Sequence, residues 1–170
     1  MIVLLFLSCF LVSNRQNDAL ISSFTTIHEP IYRAYSLSSD PDALHKLLAG
    51  RFLGEALTRE YIEHSLALQR LTEQETSIDI ATVRYRSVEV ISHWKGQARL
   101  AADWTVEGTI THRGHSHTRT NRYAAVYTVT ETADGLRIID TRLKNLERLS
   151  GRLSTGERGG LTPLQLLEEP

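Results

Sequence analysis

The stretch Trp104 to Tyr127, WTVEGTITHRGHSHTRTNRYAAVY, constrains the fold most, because a regular alternation runs up to a two-residue break and resumes beyond it. Trp104, Val106 and Ile110 alternate with Thr105, Glu107, Thr109 and Thr111; after Arg113-Gly114 the alternation returns through Tyr123, Ala125 and Tyr127. With Arg113 and Gly114 as the loop, His112 lies opposite His115. The same register sets Ile110 against His117, Gly108 against Arg119, Val106 against Asn121 and Trp104 against Tyr123. All of these share one face. The other face carries Thr105, Glu107, Thr109 and Thr111 with Ser116, Thr118, Thr120 and Arg122, hydroxyls and charges that suit water. The aromatic end of the first face is therefore core. Its far end gathers His112, His115, His117, Arg119 and Asn121, as the mouth of a pocket would, although no known catalytic motif is spelled there.

A chain of 170 residues with 41% hydrophobic and 23% charged residues suits one globular domain with a real core. Lysine and arginine number 19 against 20 aspartates and glutamates, so no long-range attraction for nucleic acid or an anionic surface is expected. The single cysteine, Cys9, lies in the N-terminal apolar run, leaving the rest without a thiol, a disulfide or a cysteine-based metal site. That run, MIVLLFLSCFLVS, falls short of the roughly 20 residues a membrane-spanning helix needs. Residues 1–16 read as a signal-like or anchoring segment, which places the domain outside the cytoplasm, in the periplasm or at a membrane. Phe6-Leu7-Ser8-Cys9 also resembles a lipoprotein box; the competing expectation is that the run forms the first turns of a packed helix.

From Asn17 the spacing of Leu20, Ile21, Phe24, Ile27, Ile31, Tyr32 and Tyr35 predicts a helix, which Pro30 should kink or divide. Asp40-Pro41 opens a second helix, with Asp40 as N-cap, ending near Gly50. A third, capped by Thr58, follows Leu57, Tyr61, Ile62, Leu66 or Leu68, and Leu71, with His64 in solvent. Between Glu75 and Ser92 the apolar phase changes twice, as in a long strand with a bulge or bend. Trp94-Lys95-Gly96-Gln97 and Ala133-Asp134-Gly135 read as turns, the second leading into a last strand through Leu149. The Gly-rich stretch 150–170 reads as a flexible tail. Residues 17–149 are the domain: an α+β fold of three N-terminal helices packed in a curved four-stranded antiparallel sheet.

The element order, the bent first strand and the closing run GLRIIDTRLKNLERL resemble the nuclear-transport-factor-2-like fold, the cone shared by ketosteroid isomerases and polyketide cyclases. Trp104-x-Val106-x-Gly108 followed by His112-x-x-His115-x-His117-x-Arg119-x-Asn121-x-Tyr123-x-Ala125 resembles exported or membrane-associated members of that fold. The resemblance implies a ligand-binding cone, and in the enzymes of the fold an acid or base inside it. The preferred reading is a non-enzymatic domain that binds a protein partner or a small ligand through Trp104, His115, His117, Arg119, Asn121 and Tyr123. It needs no cofactor, and a homodimer through the outer sheet faces fits it. An isomerase- or cyclase-like enzyme would use His117 as base with Tyr123 and Arg119 as donors, but no carboxylate lies on that face of the hairpin. A metal site would use His112, His115 and His117, against the charge of Arg119. A purely structural role, satisfying backbone groups at the open end of the sheet, competes with all three.

Overall fold

A computed structural model of the chain describes residues 2–36 and 40–150, with side chains over 14–35 and 40–149; the expected tail beyond Ser150 lies outside the described residues. Helix α1 (Ile2–Tyr32) tightens into a short 3-10 turn (Arg33–Ser36), and α2 (Pro41–Ala49) and α3 (Glu55–Glu73) follow. Then come β1 (Thr76–Trp94), β2 (Gln97–His112), β3 (His115–Thr132) and β4 (Gly135–Ser150). The four strands pair antiparallel in sequential order, so the expected α+β arrangement is the one observed.

Local chemistry accounts for most of the boundaries. The Asp40 carboxylate accepts hydrogen bonds from the backbone of Asp42 and Ala43, and Pro41 occupies the first turn, where its missing N–H costs nothing. Pro30 does not divide α1: it sits in the last turn, and the helix continues to Tyr32 before tightening. Thr58 is not a cap, because α3 begins three residues earlier behind Gly54, whose positive φ of 63° suits glycine, and the Thr58 N–H already donates to the Gly54 carbonyl.

The expected inward face of α3 is observed in part: Leu57, Tyr61 and Leu68 pack against the core and Leu71 is buried. Ala56, His64, Ala67 and Leu71 are buried, whereas Ile62 and Leu66 are 52% and 48% exposed. Ala67 and Leu71 pack with Tyr35, Ile78 and Ile110, and Tyr35 stacks on His64, so small side chains at these positions allow close approach. His64, expected in solvent, is 3% exposed.

Register shifts in β1 at Ile80/Thr82, Tyr85/Ser87 and Val90/Ser92 supply the phase changes seen in the sequence. Such bulges bend a strand and increase its twist. At the first of them the backbones of β1 and β2 come close: a Cβ on Gly108 would stand 2.8 Å from the Asp79 carbonyl oxygen and 3.1 Å from Ile80 Cδ1. Gly108→Ala is therefore expected to cost about 2 kcal/mol by displacing β1. Urea denaturation measures this, and an unchanged midpoint would show that the strand yields freely.

At the other edge the α2–α3 connection covers part of β4. Ile138 N–H donates to the Arg51 carbonyl at 2.7 Å and its carbonyl accepts from Leu53 N–H at 3.0 Å. Phe52, Leu44, Leu48 and Ile138 join Phe24, Trp104, Tyr123, Tyr127 and Val129 in the main core, between helices and sheet.

Candidate functional site

The β2–β3 hairpin closes through Arg113 (φ 47°) and Gly114 (φ 79°), both left-handed, as a primed two-residue turn demands. Every cross-strand pair from His112↔His115 to Trp104↔Tyr123 is the one the alternation predicts. On the inner face Trp104 stacks on Tyr123, with ring centroids 5.4 Å apart and planes 14° from parallel. Beyond them lie Asn121 and Arg119, 1% and 2% exposed. Gly108 stands directly across from Arg119 and leaves that row without a competing side chain.

Of the six residues expected to bind a ligand or partner, Trp104, Arg119, Asn121 and Tyr123 are buried, His117 is half-buried and His115 is exposed. The expected opening is thus a closed polar floor with imidazoles at its rim. Asn121 Nδ2 donates to the Tyr123 hydroxyl at 3.2 Å, while its Oδ1 is buried without a hydrogen-bond partner. The rings of His112 and His117 meet edge to face at 5.3 Å. Arg148 of β4 pairs with Asn121, so His112, His117, Arg119 and Arg148 span three adjacent strands. Burial, then the charges of Arg119, His112 and Arg148, hold the His117 imidazole below its ordinary pKa. Among the described residues no group of three or more metal-ligating side chains stands together. The structure brings His112 and His117 together and leaves His115 exposed at the start of β3, so the His112, His115, His117 triad does not assemble.

A second polar cluster escaped the sequence reading. His28 of α1 is 2% exposed, and its two ring nitrogens each lie 2.7 Å from a tyrosine hydroxyl, Nδ1 from Tyr85 and Nε2 from Tyr127. A neutral imidazole donates through one nitrogen and accepts at the other, so one tyrosine accepts and the other donates. Burial pushes its pKa down to about 3 and raises those of both tyrosines. Trp104 meets the His28 ring edge-on at 4.8 Å and donates from Nε1 to the Tyr32 hydroxyl at 2.8 Å. The signal was present in the spacing: Phe24, His28 and Tyr32 recur every four residues along the buried stripe of α1.

On α3, burial and then the neighbouring charge of Glu63 raise the Glu60 carboxyl to about 7, within the range of a group that exchanges protons at neutral pH. Its neighbour His64 donates from Nδ1 to the Glu60 carbonyl at 2.9 Å and is pushed down to about 4 by burial. His64 Nε2 is buried with no partner, and Tyr35 stacks on the ring at 4.9 Å.

At the opposite end from the hairpin tip, α1 and the β1–β2 and β3–β4 turns enclose a groove of 520 Å³. Leu20, Ala98, Val129 and Leu136 line it, with Trp94, Lys95 and Glu131 among its polar and aromatic walls. No helix of the described residues is long and apolar enough to cross a membrane.

No family model matches the chain, and no curated protein does. Among solved structures it is similar to the intermembrane space region of the chloroplast protein ARC6, at 18% identity and a TM-score of 0.44, over 66% of this chain and 90% of that one. A likeness of that size leaves function to the residues themselves.

Proposed function

We propose that the chain is a non-enzymatic binding domain of the nuclear-transport-factor-2-like type, exported or membrane-tethered, that takes a small ligand or partner at the polar end of the 104–127 hairpin. The observation that carries this reading is the floor made by Arg119 and Asn121. It is built of fully buried polar side chains, and Asn121 Oδ1 still has an acceptor to offer. An unfilled buried acceptor costs roughly 1–3 kcal/mol, which a ligand N–H or O–H would relieve. His28, sealed between two tyrosine hydroxyls, has no ring nitrogen left for a substrate proton, which favours binding over catalysis there. The order of elements and the bulged first strand support the fold assignment, and the apolar N-terminal run supports the tether.

The test is a fragment screen by melting temperature combined with the ring resonances of His112 and His117. Ligands that raise the melting temperature should move those resonances, and Asn121→Leu, close in volume, should abolish the rise while the free variant still unfolds cooperatively. Hits that leave both imidazoles unmoved would sink binding at this end. Enolisation or cyclisation by the wild type, lost in His117→Gln, would overturn the reading in favour of an enzyme with His117 as base. A zinc- or nickel-induced stabilisation lost in both His112→Ala and His117→Ala would favour a metal site.

A further inference from the structure

Helix α1 passes the β1–β2 turn as it leaves the domain. Asn17 Oδ1 meets His93 Nε2 at 2.9 Å, and Gln16 and Ala19 share the groove with Trp94 and Lys95. From this level the helix runs on toward Ile2 through IVLLFLSCFLVS, a run with no charged residue. Between Ser13 and Asn17 there is only about 6 Å of helix axis, so the turn stands beside the end of the apolar run. Trp94 is 65% exposed there, Ile91 is exposed on the same strand, and Lys95 Nζ lies 4.8 Å over the Trp94 ring.

Resting on the tether proposed above, we infer that this end of the domain faces a lipid surface, with α1 inserting its apolar run and Trp94 and Ile91 seated at the headgroup level. An indole beside a lysine is the combination that membrane interfaces favour, an apolar ring next to a charge that stays in water. Residues 2–13 make about 18 Å of helix, enough to enter the hydrocarbon core of a bilayer. Basic Arg15 and Lys95 are matched by acidic Asp18 and Glu131 at this end. The attraction is therefore apolar, and a zwitterionic lipid suffices.

The experiment uses the full chain with phosphatidylcholine vesicles whose acyl chains carry bromine, a contact quencher of indole emission. Trp94 and Trp104 are the two tryptophans, and the second is 1% exposed, which makes it an internal reference. The full chain should float with the vesicles in low and high salt alike. Emission should be quenched in the wild type and nearly unquenched in Trp94→Phe, and Trp94→Ala should weaken vesicle binding about three- to ten-fold. Flotation with Trp94 unquenched overturns this orientation and leaves the tether standing. Absence of flotation sinks the tether as well, and leaves ligand capture at the hairpin to its own test. A concentration-dependent dimer that Trp94→Ala dissolves, with no quenching by lipid, assigns the surface to a second copy of the chain and overturns the inference.

Discussion

His28→Ala is expected to lower the unfolding free energy by about 3–5 kcal/mol, a large share of what a domain of this size has. The truncation leaves a cavity among Phe24, Trp104 and Tyr127, and it strands the hydroxyls of Tyr85 and Tyr127, whose hydrogen-bond partner is gone. His28→Phe separates the two effects, since it restores ring volume without the nitrogens; about 2 kcal/mol of loss should remain from the hydroxyls. Chemical denaturation of both variants measures this, and equal stability of His28→Phe and wild type would show the hydrogen bonds to be neutral.

The same group sets the acid limb of stability. With a folded pKa near 3 against 6.5 unfolded, His28 stays neutral in the fold while the unfolded chain takes up a proton. Its stabilisation is therefore present above 6.5 and lost as pH falls toward 3; His64 behaves alike down to about 4. Glu60 has the opposite sign. Its folded pKa of about 7 lies above the ordinary value of 4.5, so its contribution is present below 4.5 and lost as pH rises through 7. Between 6.5 and 4.5 one proton's gain offsets part of the two losses. Below 4.5 the Glu60 contribution is saturated while both histidines lose down to about 4 and His28 down to about 3, so the melting temperature should fall most steeply just below 4.5. His28→Phe should flatten that limb.

Trp104→Ala is expected to cost about 4–5 kcal/mol and to broaden or abolish cooperative unfolding. The indole joins sheet and helix at once: it stacks on Tyr123, meets His28 edge-on and donates to Tyr32 from the last turn of α1. Tyr32→Phe removes only that acceptor and should cost about 1–2 kcal/mol, leaving the stack intact. Thermal melts followed by near-ultraviolet circular dichroism check both. A Trp104→Ala protein that unfolds as sharply and as late as wild type would mean that the aromatic cluster is not the centre of the fold.

The hairpin was readable from residue types because a two-residue loop fixes register, and one fixed pair determines all the others. The Asp40-Pro41 start of α2 was readable for a similar reason: a side-chain oxygen and a ring without an N–H leave few alternatives. Helix faces were harder. In α3 Leu57, Tyr61, Leu68 and Leu71 face the core as their spacing suggests, but Ile62 and Leu66 point to solvent, and Ala56, His64 and Ala67 point inward. Which residues at the margin of that face are buried depends on what packs opposite them, here Tyr35, Ile78 and Ile110, and that is a property of the assembled fold. His28 was missed because its partners lie outside its own segment. Tyr85 and Tyr127 lie 57 and 99 residues from His28 along the chain.

Between Asn17 and Tyr32 helix α1 is joined to the sheet at three heights: Asn17 to His93, His28 to Tyr85 and Tyr127, and Tyr32 to Trp104. The contacts reach β1, β2 and β3, and Pro30 introduces no break, so the helix is a rod clamped along its length rather than a hinged arm. A pull on its N-terminal half loads those contacts in shear, and the sheet must tilt with the rod. Whatever holds the first turns of α1 therefore also fixes the direction in which the hairpin tip points.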